Sequence, residues 1–273
     1  HYPLRRQRQM CIRDSNVTSL RGAPGVPYVR LLGDVDVVGV ADVEHDDPGA
    51  RARWASTVRR GTELVAFLTE HPGASAVRVH EAMWPDTWHA GAKAATSRNN
   101  LVCRVRRWLG TAEDGTHYVP VVSSDSYRLH PDVRSDWQDF RALVGESVTT
   151  APTPALVRAL SLVRDAPLSG VKPGRYLWAG MLRDRMLSQI SAAAHELAVR
   201  GLRAGEGKIA RSAATVGRMI DPVDEGHWRN AMRAEATLRH PAAVDQLMGE
   251  LRRTLDALGC GYQPEDATVQ LLD

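Results

Sequence analysis

The hydrophobic and polar positions of residues 94–110, AATSRNNLVCRVRRWLG, repeat with the 3.6-residue period of an amphipathic helix. Its apolar side carries Ala94, Leu101, Val102, Val105, Trp108 and Leu109. The opposite side carries Thr96, Asn99, Asn100, Cys103, Arg104 and Arg107. That side has no carboxylate, although exposed helix faces usually mix acidic and basic side chains. The pattern favours an anionic partner, and a solvated basic surface is the alternative.

The chain before this helix predicts a pair of strands followed by two shorter helices. Residues 26–40 are rich in valine around a Gly-Asp turn signal and predict two paired strands, whereas the polar residues 41–57 predict a loop. The stretch GTELVAFLTEHPG has apolar residues at helical spacing and predicts a helix that ends near residue 71. The stretch SAVRVHEAMWPD predicts a second helix, with Ser75 as its N-cap and Pro85 as its terminator.

A strand, a polar turn at residues 123–126 and another strand are predicted after the third helix, in HYVPVVSSDSYRLH. Strands, three helices and a hairpin follow one another in the order of a winged helix-turn-helix domain, whose third helix enters the major groove of DNA. Asparagine and arginine carry the paired hydrogen-bonding groups that match adenine and guanine edges in that groove. The amphipathic helix is therefore predicted to be the recognition helix.

Four motifs occur in a characteristic order: ELVAFLTEHPG, then EAMWPD at the end of the second helix, SRNNLVCRVRRWLG, and SYRLHPDV at the end of the wing. As an ordered set they resemble the OmpR/PhoB-type winged helix of actinobacterial activators of the antibiotic-regulatory type. The resemblance covers residues 27–134. It implies binding to double-stranded DNA through the major groove.

Two classes of DNA contact are expected in this winged helix, because phosphate contacts set the register of the protein and base-edge contacts give sequence specificity. The candidates for the major groove are Asn99, Asn100, Arg104 and Arg107. The candidates for phosphate are Lys93, Arg106 and, in the wing, Ser124, Ser126 and Arg128. Arg98 falls close to the apolar side of the helical wheel, so we expect the recognition helix to begin near it.

Residues 135–273 predict a second, all-α domain. The Thr- and Pro-bearing stretch VGESVTTAPTP marks a linker at residues 145–154, and helical segments with short breaks follow it. Two stretches, GLRAGEGKIARSA and ATLRHPAAVDQL, match at an offset of about 36 residues, close to the period of tetratricopeptide helix pairs. Stacked helix pairs form a concave groove that suits a partner. The alternative is a spacer that only packs against the winged helix.

The second block resembles the bacterial transcriptional activator domain, a tetratricopeptide-like module that follows such winged helices. It is most similar to the version at the cytoplasmic C-terminus of large LysM-containing actinobacterial membrane proteins, through APLSGVKPGRYLWAGML, DEGHWRNAMRAEA and LDALGCGYQPED. The resemblance implies contacts with the transcription machinery or another protein. We expect Trp178 and Trp228 to be core anchors, and His195 to be a packed histidine and not a metal ligand.

Composition bears on several other classes of function. The sequence has no nucleophile elbow, P-loop or zincin motif. We therefore expect that the protein is not an enzyme and binds no metal or cofactor. Cys11, Cys103 and Cys260 lie far apart without disulfide or metal-site spacing, which indicates a reducing, cytoplasmic location. No apolar run approaches the roughly 20 residues of a membrane helix, so we expect no membrane contact by this chain itself. The net charge of +3 requires a local patch to attract an anionic partner.

These observations predict an α+β winged helix-turn-helix domain at residues 27–134, followed by an all-α tetratricopeptide-like domain at residues 135–273. Residues 1–26 are expected to be a disordered or artefactual segment, since HYPLRRQRQMCIRDSN resembles a translated sequencing-adapter string. The expected function is a DNA-binding transcriptional regulator with a helical effector domain. The alternative is a cytoplasmic signalling or scaffold module of a membrane-anchored LysM-type protein, whose winged helix no longer binds DNA.

Overall fold

A computed structural model describes residues 25–40, 47–87, 91–121, 126–257, 259, 261 and 263–271, so nearly all of the expected N-terminal segment lies outside the described residues. The chain is mostly helical, with small sheets near its N-terminal end. The N-terminal part contains β1 (Tyr28–Arg30), β2 (Asp36–Val38), α1 (Pro48–Glu70), β3 (Ala74–Ser75), α2 (Ala76–Met83), α3 (Gly91–Leu109), β4 (Ser126–Tyr127), β5 (Arg134–Ser135) and α4 (Asp136–Val144). The helical part contains α5 (Thr153–Ser161), α6 (Gly180–Arg203), α7 (Gly207–Ile220), α8 (Glu225–Thr237), α9 (Pro241–Asp256) and α10 (Asp266–Val269). In the described stretches, no helix combines the length and the apolar character needed to cross a bilayer.

A three-stranded sheet of order β2-β1-β5 joins the first two strands of the chain to the strand before α4. Strands β1 and β2 are antiparallel, with Tyr28 opposite Val38, which confirms the predicted strand pair. Strand β5 is parallel to β1 and leads directly into α4. The first residue of α4, Asp136, is buried and accepts hydrogen bonds from the backbone amides of Leu31 and Leu32 at 2.7 and 3.1 Å. This carboxylate therefore satisfies the amides that follow β1.

Helix α1 begins at Pro48, so the loop predicted for residues 41–57 is wrong from Pro48 onward, and residues 41–46 lie outside the described residues. Proline suits the start of a helix, where its missing N–H costs nothing, and the alanine- and arginine-rich stretch that follows consists of good helix formers. Most side chains of this first half are exposed, while Trp54 and Val58 are half-buried against the core. An exposed helix needs no apolar period, which is why the pattern suggested a loop.

Helices α1, α2 and α3 follow one another as predicted. The Ser75 hydroxyl accepts a hydrogen bond from the amide of Arg78 at 3.3 Å, which confirms the predicted N-cap of α2. Helix α3 crosses α1 at Gly61, where an added Cβ would lie 2.9 Å from Val105 Cγ2 and 3.2 Å from the Trp108 ring. The missing side chain of Gly61 therefore allows the two helices to approach closely.

The segment after α3, which we call the wing segment (residues 111–130), agrees only in part with the predicted hairpin. Its tip, residues 122–125, lies outside the described residues. The amide of His130 donates to the carbonyl of Tyr118 at 2.9 Å and joins the two arms. Strand β4 in the second arm pairs with β3, which immediately precedes α2. The wing segment is therefore attached both to the end of α3 and to the start of α2.

Residues 145–154, expected to be a linker, form turns that are held against α6. Arg200 of α6 donates to three backbone carbonyls of this stretch at 2.7 to 3.2 Å. A single apolar cluster extends from Val29 to Ile220 and includes residues on both sides of the expected boundary at residue 135. The N-terminal and helical parts therefore share a core.

Helices α5 to α9 occur where the sequence predicted helical segments, and each packs against the next. Two glycines bring neighbouring helices close together. A Cβ at Gly201 of α6 would lie 2.9 Å from the backbone nitrogen of Ala210, and a Cβ at Gly217 of α7 would overlap the ring of His227. A second apolar cluster near the C-terminal end contains Trp228, Met232, Met248, Leu251 and Leu255.

Two of the three packing expectations for aromatic side chains agree with the structure. Trp228 is buried, and Trp178 is half-buried in an edge-on contact with Phe67 of α1. The expectation that His195 is a packed histidine is wrong, because its side chain is exposed. Its neighbours Ala194 and Leu197 form the buried stripe of α6, and position 195 falls outside that stripe.

Candidate nucleic-acid interface

Helix α3 has one buried and one exposed side, which confirms its predicted amphipathic character. The buried residues are Leu101, Val102, Val105, Trp108 and Leu109. They belong to the same apolar cluster as Leu64 of α1 and Met83 of α2, so the buried side fixes α3 against both helices. The side chain of Ala94, the remaining predicted apolar residue, is outside the described set.

The exposed side of α3 carries five residues that the sequence singled out. We call them the basic face: Lys93, Asn99, Asn100, Arg104 and Arg107. Lys93, Asn100 and Arg104 are seven and four residues apart and therefore lie along one side of the helix. From Lys93 to Arg107 the face extends for about 21 Å at 1.5 Å per residue. Such a length suits an extended partner such as a nucleic-acid groove.

The charge of the basic face is not compensated by its own helix. No acidic residue occurs in α3. Within the part of the chain that the structure describes, no hydrogen bond or ion pair engages the side chains of the basic face. Their amide, ammonium and guanidinium donors are therefore available to phosphate oxygens and to acceptors on base edges. Cys103 is also exposed on this side of α3.

Arg106, which was predicted to contact phosphate, donates hydrogen bonds to backbone carbonyls of the chain itself. Its Nε donates to the carbonyl of Val119 at 2.7 Å, and its Nη2 donates to the carbonyl of Pro120 at 3.0 Å. The side chain is half-buried between α3 and the wing segment. Its positive charge still contributes to the local potential, but two of its donors are used within the chain.

The three predicted wing contacts are placed differently. Ser124 lies outside the described residues, Ser126 is half-buried in β4, and Arg128 is exposed beside the turn at Gly73. Of these, Arg128 presents a charge to solvent. A contact to DNA by Ser124 or Ser126 stays a prediction.

Helix α3 begins at Gly91, so the expectation that it begins near Arg98 is wrong. Arg98 is half-buried, and its Nε donates to the hydroxyl of Tyr127 in β4 at 3.1 Å. This bond explains a position that was irregular on the helical wheel, because the guanidinium faces the wing segment and not solvent. The tyrosine in the predicted wing was the available signal for this pairing, which was not predicted.

A second polar surface is a groove of about 790 Å³ in the helical part, between α6, the end of α7 and the turn at residues 148–149. Ser191, Asp221 and Asp224 contribute to its lining. Behind them lies the fully buried His227, whose Nε2 is 2.8 Å from Ser191 Oγ. Burial lowers the pKa of His227, which the nearby Asp224 partly opposes.

The groove does not have the features of a metal site in the residues described. No three His, Cys, Asp or Glu side chains converge there or elsewhere in the described ranges. Of this surface, His195 was predicted from the sequence and His227 was not. The signal was the Asp-Glu-Gly-His start of α8, where Asp224 caps the helix through the amide of Gly226 at 2.8 Å.

No family model matches the chain, and no curated protein matches it. Among solved structures, the chain is similar to Mycobacterium tuberculosis EmbR in complex with a low-affinity phosphopeptide, with a TM-score of 0.56. The two sequences are 17% identical, and the match covers 90% of this chain. It covers 64% of the EmbR chain, so this chain spans less than two thirds of that length. The likeness shows a shared fold.

Proposed function

We propose that the chain is a DNA-binding transcriptional regulator of the OmpR/PhoB type, in which α3 inserts its basic face into the major groove. One observation carries this proposal: the basic face has no carboxylate and no partner among the described residues. In the proposed complex, Asn99, Asn100, Arg104 and Arg107 contact base edges. Lys93, Arg106, Arg128 and the wing serines contact phosphate and fix the register of the helix on the duplex.

The order of the secondary-structure elements and the fold shared with EmbR support this proposal. The order of elements here, strands followed by α1, α2, α3 and the wing segment, is that of a winged helix. We assign this domain to residues 27–134 and the helical effector domain to residues 135–273. The two domains act as one body in this proposal, because they share an apolar cluster.

The helical part is proposed to bind a protein, either the transcription machinery or another protein. We take its successive helices, α5 to α9, as a short tetratricopeptide-like solenoid, because each packs against the next. Such modules bind partners along a concave surface. The groove beside α6 is the candidate surface, because it combines apolar residues such as Leu187 and Ile220 with hydrogen-bonding groups such as Ser191. Its carboxylates, Asp221 and Asp224, favour a basic segment of the partner.

Fluorescence anisotropy with labelled duplex DNA tests the DNA-binding proposal. The full chain is titrated with a pool of random 30-base-pair duplexes at several salt concentrations. Binding through phosphate contacts makes log K fall linearly with log of the salt concentration, by about 0.9 per phosphate contacted. The double variant N100A/R104A is compared with R203A/Q246A, which removes an exposed arginine and an exposed amide from the helical part. We expect the first pair to weaken binding and the second pair to leave it unchanged.

The variant K93A separates phosphate contact from base contact. Removal of one ammonium that meets phosphate weakens binding to all duplexes alike and makes the salt slope shallower by about one unit. If the parent chain shows no salt-dependent binding to any duplex at low salt, the regulator proposal is wrong and the scaffold alternative gains support.

A further inference from the structure

A chain of charged groups joins the loop before α6 to the end of α2. We call it the Glu63 relay and define it by Arg175, Glu63 and Arg60. Glu63 of α1 is 1% exposed, and one of its carboxylate oxygens accepts hydrogen bonds from Nε and Nη2 of Arg175, the former at 2.7 Å. Its other oxygen accepts from the backbone amide of Tyr176 at 2.8 Å. Residues more than a hundred positions apart in sequence are thereby tied together inside the protein.

The second step of the relay leads from Glu63 to the end of α2. Arg60 lies one helical turn before Glu63, and its Nη1 is 3.4 Å from the carboxylate. Its Nη2 donates to the carbonyl of Met83, the last residue of α2, at 2.6 Å. Its guanidinium also lies over the ring of Trp84, 5.1 Å from the ring centre. Arg60 therefore holds the point where the chain leaves α2 and turns toward α3.

The loop end of the relay is held in a conformation that needs support. Tyr176 has a positive φ of 56°, which is unfavourable for a residue with a side chain. Two contacts support this conformation. The first is the hydrogen bond from the Tyr176 amide to Glu63. The second is the packing of Trp178 against Phe67 of α1 and against His71, which directly follows α1. The side chain of Arg175 is 30% exposed, so a molecule bound to the loop can reach it.

We propose that Arg175 and Glu63 are positioning residues for DNA binding, which act through Arg60 on the start of the turn that follows α2, at residues 84–87. This inference rests on the proposed function. A buried carboxylate that loses Arg175 must find another cation or become protonated, because an unpaired buried charge is strongly unfavourable. Arg60 is the remaining cation, and a stronger pull from Glu63 draws it away from Met83 and Trp84. The helical part thereby controls the orientation of α2 against α3.

The structure supplies a matched control for this proposal. Arg164 also joins the helical part to the N-terminal part, through Asp136 at 3.2 Å, and Asp136 is buried like Glu63. Arg164 and Asp136 hold the sheet, however, and not the turn that follows α2. The variants R175M and R164M each remove one guanidinium from a buried carboxylate. R175K keeps the charge and serves as the conservative variant.

The first readout is duplex affinity at fixed salt, with the salt slope measured in parallel. We expect R175M to lower affinity by about 5- to 150-fold, the usual range of coupling between sites. R164M should keep the affinity of the parent, and R175K should restore most of it. The salt slope of R175M should equal that of the parent, because no phosphate contact is lost. Equal losses in R175M and R164M, or a loss of thermal stability in R175M without a loss of affinity, would overturn the proposal.

The second readout needs no DNA and therefore separates the two proposals. The amide of Trp84 donates to the carbonyl of His80 and reports on the end of α2 by hydrogen exchange. We expect faster exchange at Trp84 in R175M and unchanged exchange in R164M. The double variant R60M/R175M should exchange no faster than R60M, because both residues act on one path. If the parent chain binds no DNA, the proposed function fails, and this exchange pattern still decides whether the relay fixes the turn.

Discussion

The Nε of Arg106 on α3 donates to the carbonyl oxygen of Val119 at 2.7 Å, and Nη2 of the same guanidinium donates to Pro120. This pairing ties the candidate recognition helix to the first arm of the wing segment. The second arm is tied to α3 as well, because Arg98 donates to the hydroxyl of Tyr127. Helix α3 therefore carries arginines of two kinds, those that hold the wing segment and those that face solvent.

This division predicts different effects for neighbouring arginines. The variant R106Q loses two hydrogen bonds from a charged donor and should lower the free energy of unfolding by about 1 to 2 kcal/mol. The variant R107Q changes an exposed side chain without a partner among the described residues, and its stability should stay within about 0.5 kcal/mol of the parent. Urea unfolding measures both. Equal stability of the two variants would contradict a structural role for Arg106.

Sequence predicted best what is determined locally. The Ser75 cap of α2 and the buried side of α3 were both predicted correctly. Capping and helical spacing depend on residues within a few positions of each other. The first half of α1 was missed because an exposed helix has no apolar period. The Glu63 relay joins residues more than a hundred positions apart, so no local pattern indicates the pairing of Glu63 with Arg175. The basic face could be predicted because it depends on the spacing within one helix. The bonding of Arg106 could not, because its acceptors lie 13 and 14 positions away in the wing segment.

Removal of a side chain from the basic face is predicted to weaken the preference of the protein for particular DNA sequences. In R104A and in N100A, the protein should lose discrimination of about 1 to 3 kcal/mol at the base pair that each side chain contacts. Neither change should unfold the domain, because both side chains are exposed. Selection of preferred duplexes from a random pool, followed by affinity measurement on the preferred and altered sequences, gives the discrimination. A variant that selects the same duplex with the same preference would show that its side chain contacts no base.

Two helix glycines, Gly61 at the crossing of α1 and α3 and Gly249 in α9, predict opposite effects of substitution by alanine. In G61A the new methyl group would meet Val105 and Trp108 and should destabilise the fold by about 1 to 3 kcal/mol through overpacking. In G249A the methyl group would meet, among the described residues, only the end of the Arg253 side chain at 3.5 Å. Higher helix propensity should therefore stabilise the fold by about 0.5 to 1 kcal/mol. Thermal and urea unfolding measure whether each substitution lowers or raises the stability. Stabilisation in G61A would contradict the close crossing.

The buried His227 predicts a pH dependence of stability. Burial lowers its pKa in the folded state, so the unfolded chain binds a proton at a higher pH than the folded chain does. Stability is therefore lost as the pH falls through the unfolded value near 6.5 toward the lower folded value, and it is unaffected by this residue above that range. H227Q, which keeps a polar group near Ser191, should lose less stability than the parent between pH 7.5 and 5.5. If the free energy of unfolding depends on pH in the same way in H227Q and in the parent, His227 is not the cause of the pH dependence.

The central claim, that the exposed side of α3 contacts duplex DNA, is tested most directly at Cys103, which is exposed on that side. The rate of alkylation of Cys103 is measured by peptide mass spectrometry with and without duplex at low salt, and Cys11 and Cys260 are monitored in the same samples. We predict that duplex at ten times its dissociation constant slows alkylation of Cys103 by about tenfold, and that N100A/R104A reduces this protection. An unchanged rate at Cys103 while anisotropy reports bound duplex would show that DNA binds elsewhere and would contradict the account.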